Sequence, residues 1–371
     1  MDRAPGQQPG AAELISSVES AGATVYHPIM ESSRRELASV FALLERLHDA
    51  TPGELQLQSQ PLRGGLEAAG VARVVARFRD SRGRRRVFSL VVKRLNGATA
   101  REALIYQHLL SRYSDGLGPR LLGWHRIGHD RVMLFLEALR PVSAWPWAEQ
   151  QTAARVLEHI VRLHTTPTDE RLRDVLAVWD YEGELQRTAQ RTLGALERAR
   201  QRTGSSFGPA LRWARRLVLG LPALRKQLLS FQPFGPAIIH GDLHPGNVVV
   251  RHRRGKRETV LLDWGRSRLG SPLEDVSSWL QSLSAWEPMA RQRHDSLFRA
   301  YLSARGMDRT LRSELREAYW LAGASNALSG ALVYHLTVML DERCTGGQRA
   351  SAADSTIKWV RVLRRADAFW S

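Results

Sequence analysis

Asp242, Asn247 and Asp263 are the residues whose types and spacing could do chemistry. They lie in AIIHGDLHPGNVVV and, after a basic turn, TVLLDWG. Three apolar runs, Ile238-Ile239, Val248-Val249-Val250 and Val260-Leu261-Leu262, read as strands that each deliver a polar group at an end. Aspartate and asparagine are hard oxygen donors. They suit Mg2+, which takes few protein ligands and keeps its other positions for water and phosphate oxygens. His240 and His244 have no thiolate company, so nothing here suggests a transition metal. A turn-rich loop whose Asp and Asn only cap and bend the backbone is the alternative. An aspartate, an asparagine five residues on, and an Asp-x-Gly after a further strand is instead the grammar of a kinase catalytic loop and metal loop. Two motifs in the right order and distance favour phosphoryl transfer.

With HGDLHPGN and LLDWG spelled as they are here, the segment closely resembles the aminoglycoside phosphotransferase-like family of small-molecule kinases. The resemblance runs in motif order over roughly residues 62–275. It implies an α+β, two-lobed protein-kinase-like fold, with a small antiparallel β-sheet N-lobe and a mainly helical C-lobe. Residues 1–50 would be a tail and leading helix, 51–139 the nucleotide-binding N-lobe, and 140–371 the C-lobe with the catalytic and metal loops. Asn247 and Asp263 would hold Mg2+, and Asp242 would align the acceptor hydroxyl. Aspartates are weak bases at neutral pH, so orientation should contribute more than deprotonation. Backbone groups near Leu136 to Ala138, including Glu137 and Ala138, would meet a purine edge. Gly64 and Gly65 would lie in the nucleotide loop, and Asp275 would hold the catalytic loop. His240 would brace that loop, and His244 would touch acceptor or phosphate, or structure the loop. The nucleotide is expected to be ATP, with GTP not excluded.

The elements that must position these groups can be read in part. Pro61 to Lys93 reads as an antiparallel sheet: Glu54–Gln60, Val71–Phe78 and Val87–Lys93, with Leu121–Ile127 and Val132–Leu136 as further strands. RGGLEAAG, Arg63 to Gly70, is not G-x-G-x-x-G, and a glycine hairpin turn is an equal contender for it. The chain has 50 arginines and four lysines, yet places Lys93 at the end of the apolar run FSLVV. A compact ammonium suits a phosphate pocket where a guanidinium fork would be oversized; the alternative is a snorkelling strand-end lysine. Glu102 is the only carboxylate between Lys93 and Asp115, so a helix-borne partner for Lys93 must be Glu102. Thr99-Ala100-Arg101-Glu102 also fits a capping box, and the family's REA-x-x-Y pattern favours the ion pair.

Helices are expected over Glu31–Leu47, Trp145–His164, Asp169–Arg202, Pro209–Phe231, from Ser271 onward, Met289–Arg305, Arg309–Leu340 with a break near Gly323 or Gly330, and Ala352–Ala368. Ser271-Pro272-Leu273-Glu274 spells an N-cap, a proline at N1 and a glutamate at N3. Most of the 11 tryptophans fall in this half, where packing is the better reading for most of them.

Composition bounds the rest. With 371 residues, 43% apolar and 25% charged, the chain can build a substantial core. One cysteine, Cys344, excludes an intrachain disulfide and fits a reducing compartment. The start, MDRAPGQQPG, has no apolar signal region, and no run has the length of a membrane span, so a cytoplasmic protein is expected. The net charge of +17 is spread along the chain. Its two dense clusters, Arg82–Arg86 and Arg251–Arg257, read as hairpin tips, which argues against specific nucleic-acid binding.

The expected function is therefore an ATP-dependent O-phosphotransferase acting on a small hydroxylated molecule. A +17 protein repels polycationic aminoglycosides at long range, so the acceptor is expected to be neutral or weakly charged. A local acidic pocket from Asp169-Glu170, Asp180, Glu182 and Glu184, or Asp341-Glu342, could override that field. The alternatives are a nucleotide-binding pseudokinase, against which the full set Lys93, Glu102, Asp242, Asn247 and Asp263 argues, and a kinase of macromolecules, against which the missing A-P-E segment argues.

Overall fold

Alternation along the strands decides which side of the first sheet each polar residue serves. The computed structural model describes residues 34–50, 55–62, 70–113, 116–287 and 289–370; the expected tail, Gly64 and Gly65 lie outside them. The chain divides into two compact units, Met1–Arg140 and Pro141–Ser371.

In the first unit, helix α1 (Arg34–His48) precedes strands β1 (Gln56–Pro61), β2 (Gly70–Arg79) and β3 (Arg85–Asn96). A short helix α2 (Glu102–His108) and strands β4 (Leu121–Arg126) and β5 (Arg131–Glu137) complete it. The strands form one antiparallel sheet in the order β1-β2-β3-β5-β4, which puts β3 at its centre. Leu90 and Val92 of β3 pack with Val40, Phe41 and Leu44 of α1. Side chains alternate between the two faces of a strand, so Arg94 belongs on the α1 face, and there it pairs with Glu36 at 2.8 and 3.0 Å. Lys93 belongs on the opposite face, where α2 begins.

The second unit opens with α3 (Gln150–His164), α4 (Glu170–Ala177), α5 (Tyr181–Thr203), α6 (Gly208–Leu219) and α7 (Leu221–Ser230). Strand β6 (Ala237–Ile239), the hairpin β7 (Val248–Arg253) and β8 (Lys256–Leu261), and β9 (Arg268–Gly270) follow. The unit ends with α8 (Pro272–Trp286), α9 (Ala290–Ala304), α10 (Ser313–Asn326), α11 (Leu332–Leu340) and α12 (Gly346–Trp370). Among the described residues no helix is long and apolar enough to cross a membrane.

The helix starting at Trp145 by its pattern begins only at Gln150, and two expected long helices are each split in two. Asp169 and Asp180 both act as N-caps, accepting from Leu172 N at 2.8 Å and Gly183 N at 3.0 Å, so α4 and α5 start separately. The break between α6 and α7 falls at Gly220, just before Pro222; a Cβ on Gly220 would lie 2.4 Å from Trp370 Nε1. The break in the Arg309–Leu340 stretch comes at Gly330, whose φ of 154° few side chains tolerate.

Both arginine clusters are turns, as their spacing suggests. Arg254 and Gly255 take φ of 50° and 75°, the signature of a two-residue hairpin turn. Much of this charge is matched locally: Arg84 and Arg86 meet Asp80 at 2.9 and 3.0 Å, Arg251 meets Glu258 at 2.7 Å, and Arg257 pairs with Glu149.

Beneath β9, Ser271 and Glu274 form the expected capping box at the start of α8. Glu274 is 1% exposed and also accepts from Arg225 at 2.8 Å and Arg268 at 2.9 Å. Burial alone would raise its pKa, but the two guanidiniums hold it below the usual range. Glu274→Ala would take the buried carboxylate from both guanidiniums, leaving Arg225 only the half-exposed Glu182 as counter-ion, and an unfolding midpoint in urea should report a loss of about 3–5 kcal/mol.

Candidate active site

The catalytic-loop motif hangs between β6 and β7, and the metal-loop motif follows β8. Pairing of β6 with β9 and of β7 with β8 fixes both ends of the loop. The Leu262 amide donates to the Asn247 carbonyl at 2.8 Å, which carries that ladder to the residue before Asp263.

Inside the loop, Asn247 Nδ2 donates to the Asp242 carbonyl at 2.9 Å and to Asp242 Oδ2 at 3.3 Å. The amide nitrogen is thereby committed to Asp242, leaving the amide oxygen as the group that can face a cation. Asp263 takes left-handed backbone angles, φ 59° and ψ 72°. Such angles cost a non-glycine residue free energy and cluster at functional positions. His244 feels both carboxylates: burial lowers its pKa, while Asp242 and Asp263 raise it. Asn247 is bonded to Asp242 by its side chain and to Leu262, the residue before Asp263, by its carbonyl, which brings the three residues together. Among the described residues no group of three His, Cys, Asp or Glu side chains is placed to hold a metal. The donor set here instead joins an asparagine to carboxylates, a hard-oxygen set that fits Mg2+.

A buried carboxylate holds the loop from below. Asp275, 1% exposed on α8, accepts from the His240 amide at 2.7 Å and the Gly241 amide at 2.9 Å. His164 Nε2 reaches the same carboxylate at 3.1 Å, and Tyr301 OH lies 2.8 Å from His164 Nδ1. A carboxylate only accepts, so the proton sits on Nε2 and the tyrosine donates to Nδ1. Burial lowers the His164 pKa and raises that of Tyr301, which keeps both neutral. Burial pushes Asp275 up, but hydrogen bonds from His164 and the Gly241 amide hold it low. Gly241 has φ 81°, and a Cβ there would come 2.3 Å from the Arg266 carbonyl, so this turn accepts no side chain.

The two loop histidines structure the loop. His240, fully buried, places Nε2 2.8 Å from the Leu262 carbonyl and Nδ1 3.3 Å from the Asp242 amide, with Trp264 against its ring. His244 Nδ1 accepts from the Gly246 amide at 3.1 Å.

In the first unit, Lys93 Nζ donates to Glu102 Oε2 at 2.7 Å, with the residues 8% and 1% exposed. The capping pattern considered for Glu102 falls three residues earlier. Thr99 Oγ1 accepts from the Asn96 amide at 3.1 Å and donates to the Asn96 carbonyl at 2.7 Å. Glu137 ends β5, its carboxylate accepting from the Arg120 amide at 3.0 Å, and Ala138 follows. Gly64 and Gly65 lie outside the described residues.

Residues 60–318 match the family described as phosphotransferase enzymes. The chain belongs to that family. As a member it is a phosphotransferase whose acceptor is a hydroxyl group. The phosphotransferase fold is protein-kinase-like, as three solved structures illustrate. A Plasmodium vivax ethanolamine kinase is 11% identical, with a TM-score of 0.54 over 96% of this chain and 95% of that one. Spectinomycin phosphotransferase APH(9)-Ia, solved with ADP and spectinomycin, is 12% identical, with a TM-score of 0.53 over 92% and 99%. Amicoumacin kinase hAmiN, solved with AMP-PNP, Ca2+ and Ami, is 15% identical, with a TM-score of 0.51 over 87% and 92%. At these identities the likeness is one of fold. No curated protein matches the phosphotransferase sequence significantly.

Sequence reading missed His164 and Tyr301 beneath the loop, and also His335 and Lys358. Only Lys358 carried a signal, as one of four lysines among 50 arginines. Burial, with smaller effects from His244 and Lys358, lowers His335 from the usual 6.5 to about 4. The unfolded chain then binds a proton that the folded chain refuses, so the stability His335 contributes is full above pH 6.5 and lost as pH falls towards 4. His164, His244 and His294 are lowered too. The unfolding midpoint should therefore drop across this window, and His335→Gln should flatten part of the slope in urea titrations at stepped pH.

Proposed function

We propose that this phosphotransferase moves the γ-phosphoryl group of an Mg-nucleotide to a hydroxyl of a small molecule. The nucleotide is ATP, with GTP as the alternative. The observation that carries the reading is the locked pair Asp242–Asn247, in a loop that Asp275 holds by two backbone amides. Residues 51–139 serve the nucleotide and residues 140–371 carry the catalytic, metal and acceptor groups. The ADP, AMP-PNP and Ca2+ in the related kinase structures support a nucleotide and a divalent cation here.

In this reading Asn247 Oδ1 and the Asp263 carboxylate would hold Mg2+. The bound cation would neutralise charge on the β- and γ-phosphates. Lys93, fixed by Glu102, holds the non-transferred phosphates. Gly64 and Gly65 offer amides to the phosphates, and backbone groups at Glu137 and Ala138 meet the base. Asp242 accepts a hydrogen bond from the acceptor hydroxyl and aligns it with the γ-phosphorus. As the new P–O bond forms and the bond to the β-phosphate oxygen breaks, the hydroxyl proton passes late to Asp242, and the nucleoside diphosphate departs. Orientation is the main contribution of the protein.

The acceptor is a neutral or weakly charged alcohol, an antibiotic or a metabolite. Most of the acids that could have formed a polycation pocket have other partners. Asp169 and Asp180 cap helices, Glu182 meets Arg225, Glu184 meets Arg187, and Asp341 meets Arg343. Neither a membrane nor a nucleic acid is invoked, and the lone Cys344, unpaired by any disulfide, fits a cytoplasmic setting.

Transfer of labelled phosphate from ATP to a panel of hydroxyl compounds tests this. Asp242→Ala should lower kcat about 10²- to 10⁴-fold with the fold intact by circular dichroism. Lys93→Ala should raise the KM for nucleotide, and Asp263→Ala should raise the Mg2+ concentration needed for half-maximal rate. Asp275→Ala, which touches no reactant, should still cost about 10²-fold through misplacement of the loop. Thermal stabilisation by nucleotide with no turnover of any kind would mark a non-catalytic nucleotide binder.

A further inference from the structure

Several tryptophans of the second unit are buried, among them Trp147, Trp264, Trp279 and Trp359, but Trp145 and Trp286 are 49% and 52% exposed. Their indole planes lie within 6° of parallel, with centroids 6.4 Å apart. Two large aromatic surfaces left in water forfeit the gain of burying them. The pair is also held in place. Trp145 Nε1 donates to Glu287 Oε2 at 2.9 Å, and Glu287 Oε1 accepts from the Met289 amide at 3.1 Å. Glu287 is itself 8% exposed, so a nearly buried carboxylate orients a half-exposed ring.

The pair adjoins the catalytic loop. A Cβ built on Gly246 would lie 3.6 Å from Trp286 Cη2, at the residue before Asn247. What rests on these rings therefore lies beside the Asp242–Asn247 pair, which points to the acceptor as occupant. Charge narrows its class. Lys358 Nζ donates to the carbonyl of Ala285, next to Trp286, at 2.9 Å, and Arg293 donates to the carbonyl of Ala148 at 2.6 Å. Indole faces attract cations and Glu287 adds one negative charge at the pair, but its two oxygens are turned to the Trp145 indole and the Met289 amide, and against it stand Lys358, Arg293 and the +17 charge of the chain. An uncharged ring, sugar or aromatic, can lay a flat face on indole without that repulsion.

We propose that Trp145 and Trp286, held by Glu287, form an aromatic platform that seats the flat face of an uncharged, ring-bearing alcohol and presents its hydroxyl to Asp242. This rests on the phosphotransferase reading above and adds the class of acceptor.

The test measures ADP release by the full chain with Mg-ATP. Uridine, methyl α-D-glucopyranoside and salicyl alcohol serve as uncharged ring-bearing probes, and choline and spectinomycin as cationic ones. At least one uncharged probe should accelerate ADP release and quench tryptophan emission. Trp145→Ala and Trp286→Ala should each raise the KM for that probe about tenfold, with a smaller change in kcat. Trp145→Phe, which keeps a ring, should recover most of the loss. Acceleration by the cationic probes alone, by no uncharged probe, or a KM indifferent to both alanine variants overturns the platform while nucleotide turnover, even to water, persists. Absence of all nucleotide turnover in the unaltered chain instead overturns the phosphotransferase reading itself.

Discussion

A buried carboxylate with no part in bond making, that of Asp275, is the constraint on which the site depends. It gathers two consecutive loop amides and one histidine at distances between 2.7 and 3.1 Å. A charge this deep is costly unless every lone pair is answered. Here the answers come from the loop that must be held, and the chain Arg305, Tyr301, His164 continues the network outward. Loosening the loop would leave the carboxylate unsatisfied, so the cost of burying Asp275 becomes a force for order at His240 and Gly241. Asp242 inherits that order through the His240 ring and through Asn247.

The same economy of charge recurs through the molecule. An arginine-rich chain offers many guanidinium forks, and Glu36, Asp80, Glu258 and Glu274 each pair with one or more. Bidentate planar donors suit such pairs. Lysine is used sparingly, and two of its four occurrences are telling: Lys93 of β3 meets Glu102 at the start of α2, and Lys358 bonds the Ala285 carbonyl near the end of α8, next to Trp286.

Much was legible locally. Strand runs around the central motif and the sheet strands of the first unit show period-two patterning, which depends on neighbours in the chain. The Ser271 capping box is equally local. The long-helix readings of Asp169–Arg202 and Pro209–Phe231 failed because periodicity continues smoothly across a break. Side-chain caps at Asp169 and Asp180 and the approach of Trp370 to Gly220 decide those breaks. The two candidate readings of Glu102 were separable only by a contact nine residues away in sequence and on another element.

By itself the sequence determined the chemistry on offer, the order of the motifs and the alternation that sends Lys93 and Arg94 to opposite faces of β3. These follow from residue type and covalent spacing. Only the tertiary structure decided which acids were consumed as caps and ion pairs, that His164 and Tyr301 stand beneath the loop, and that Trp145 meets Trp286 across 141 positions. Such meetings depend on how separate helices pack, and no local pattern records which distant surface a side chain will touch.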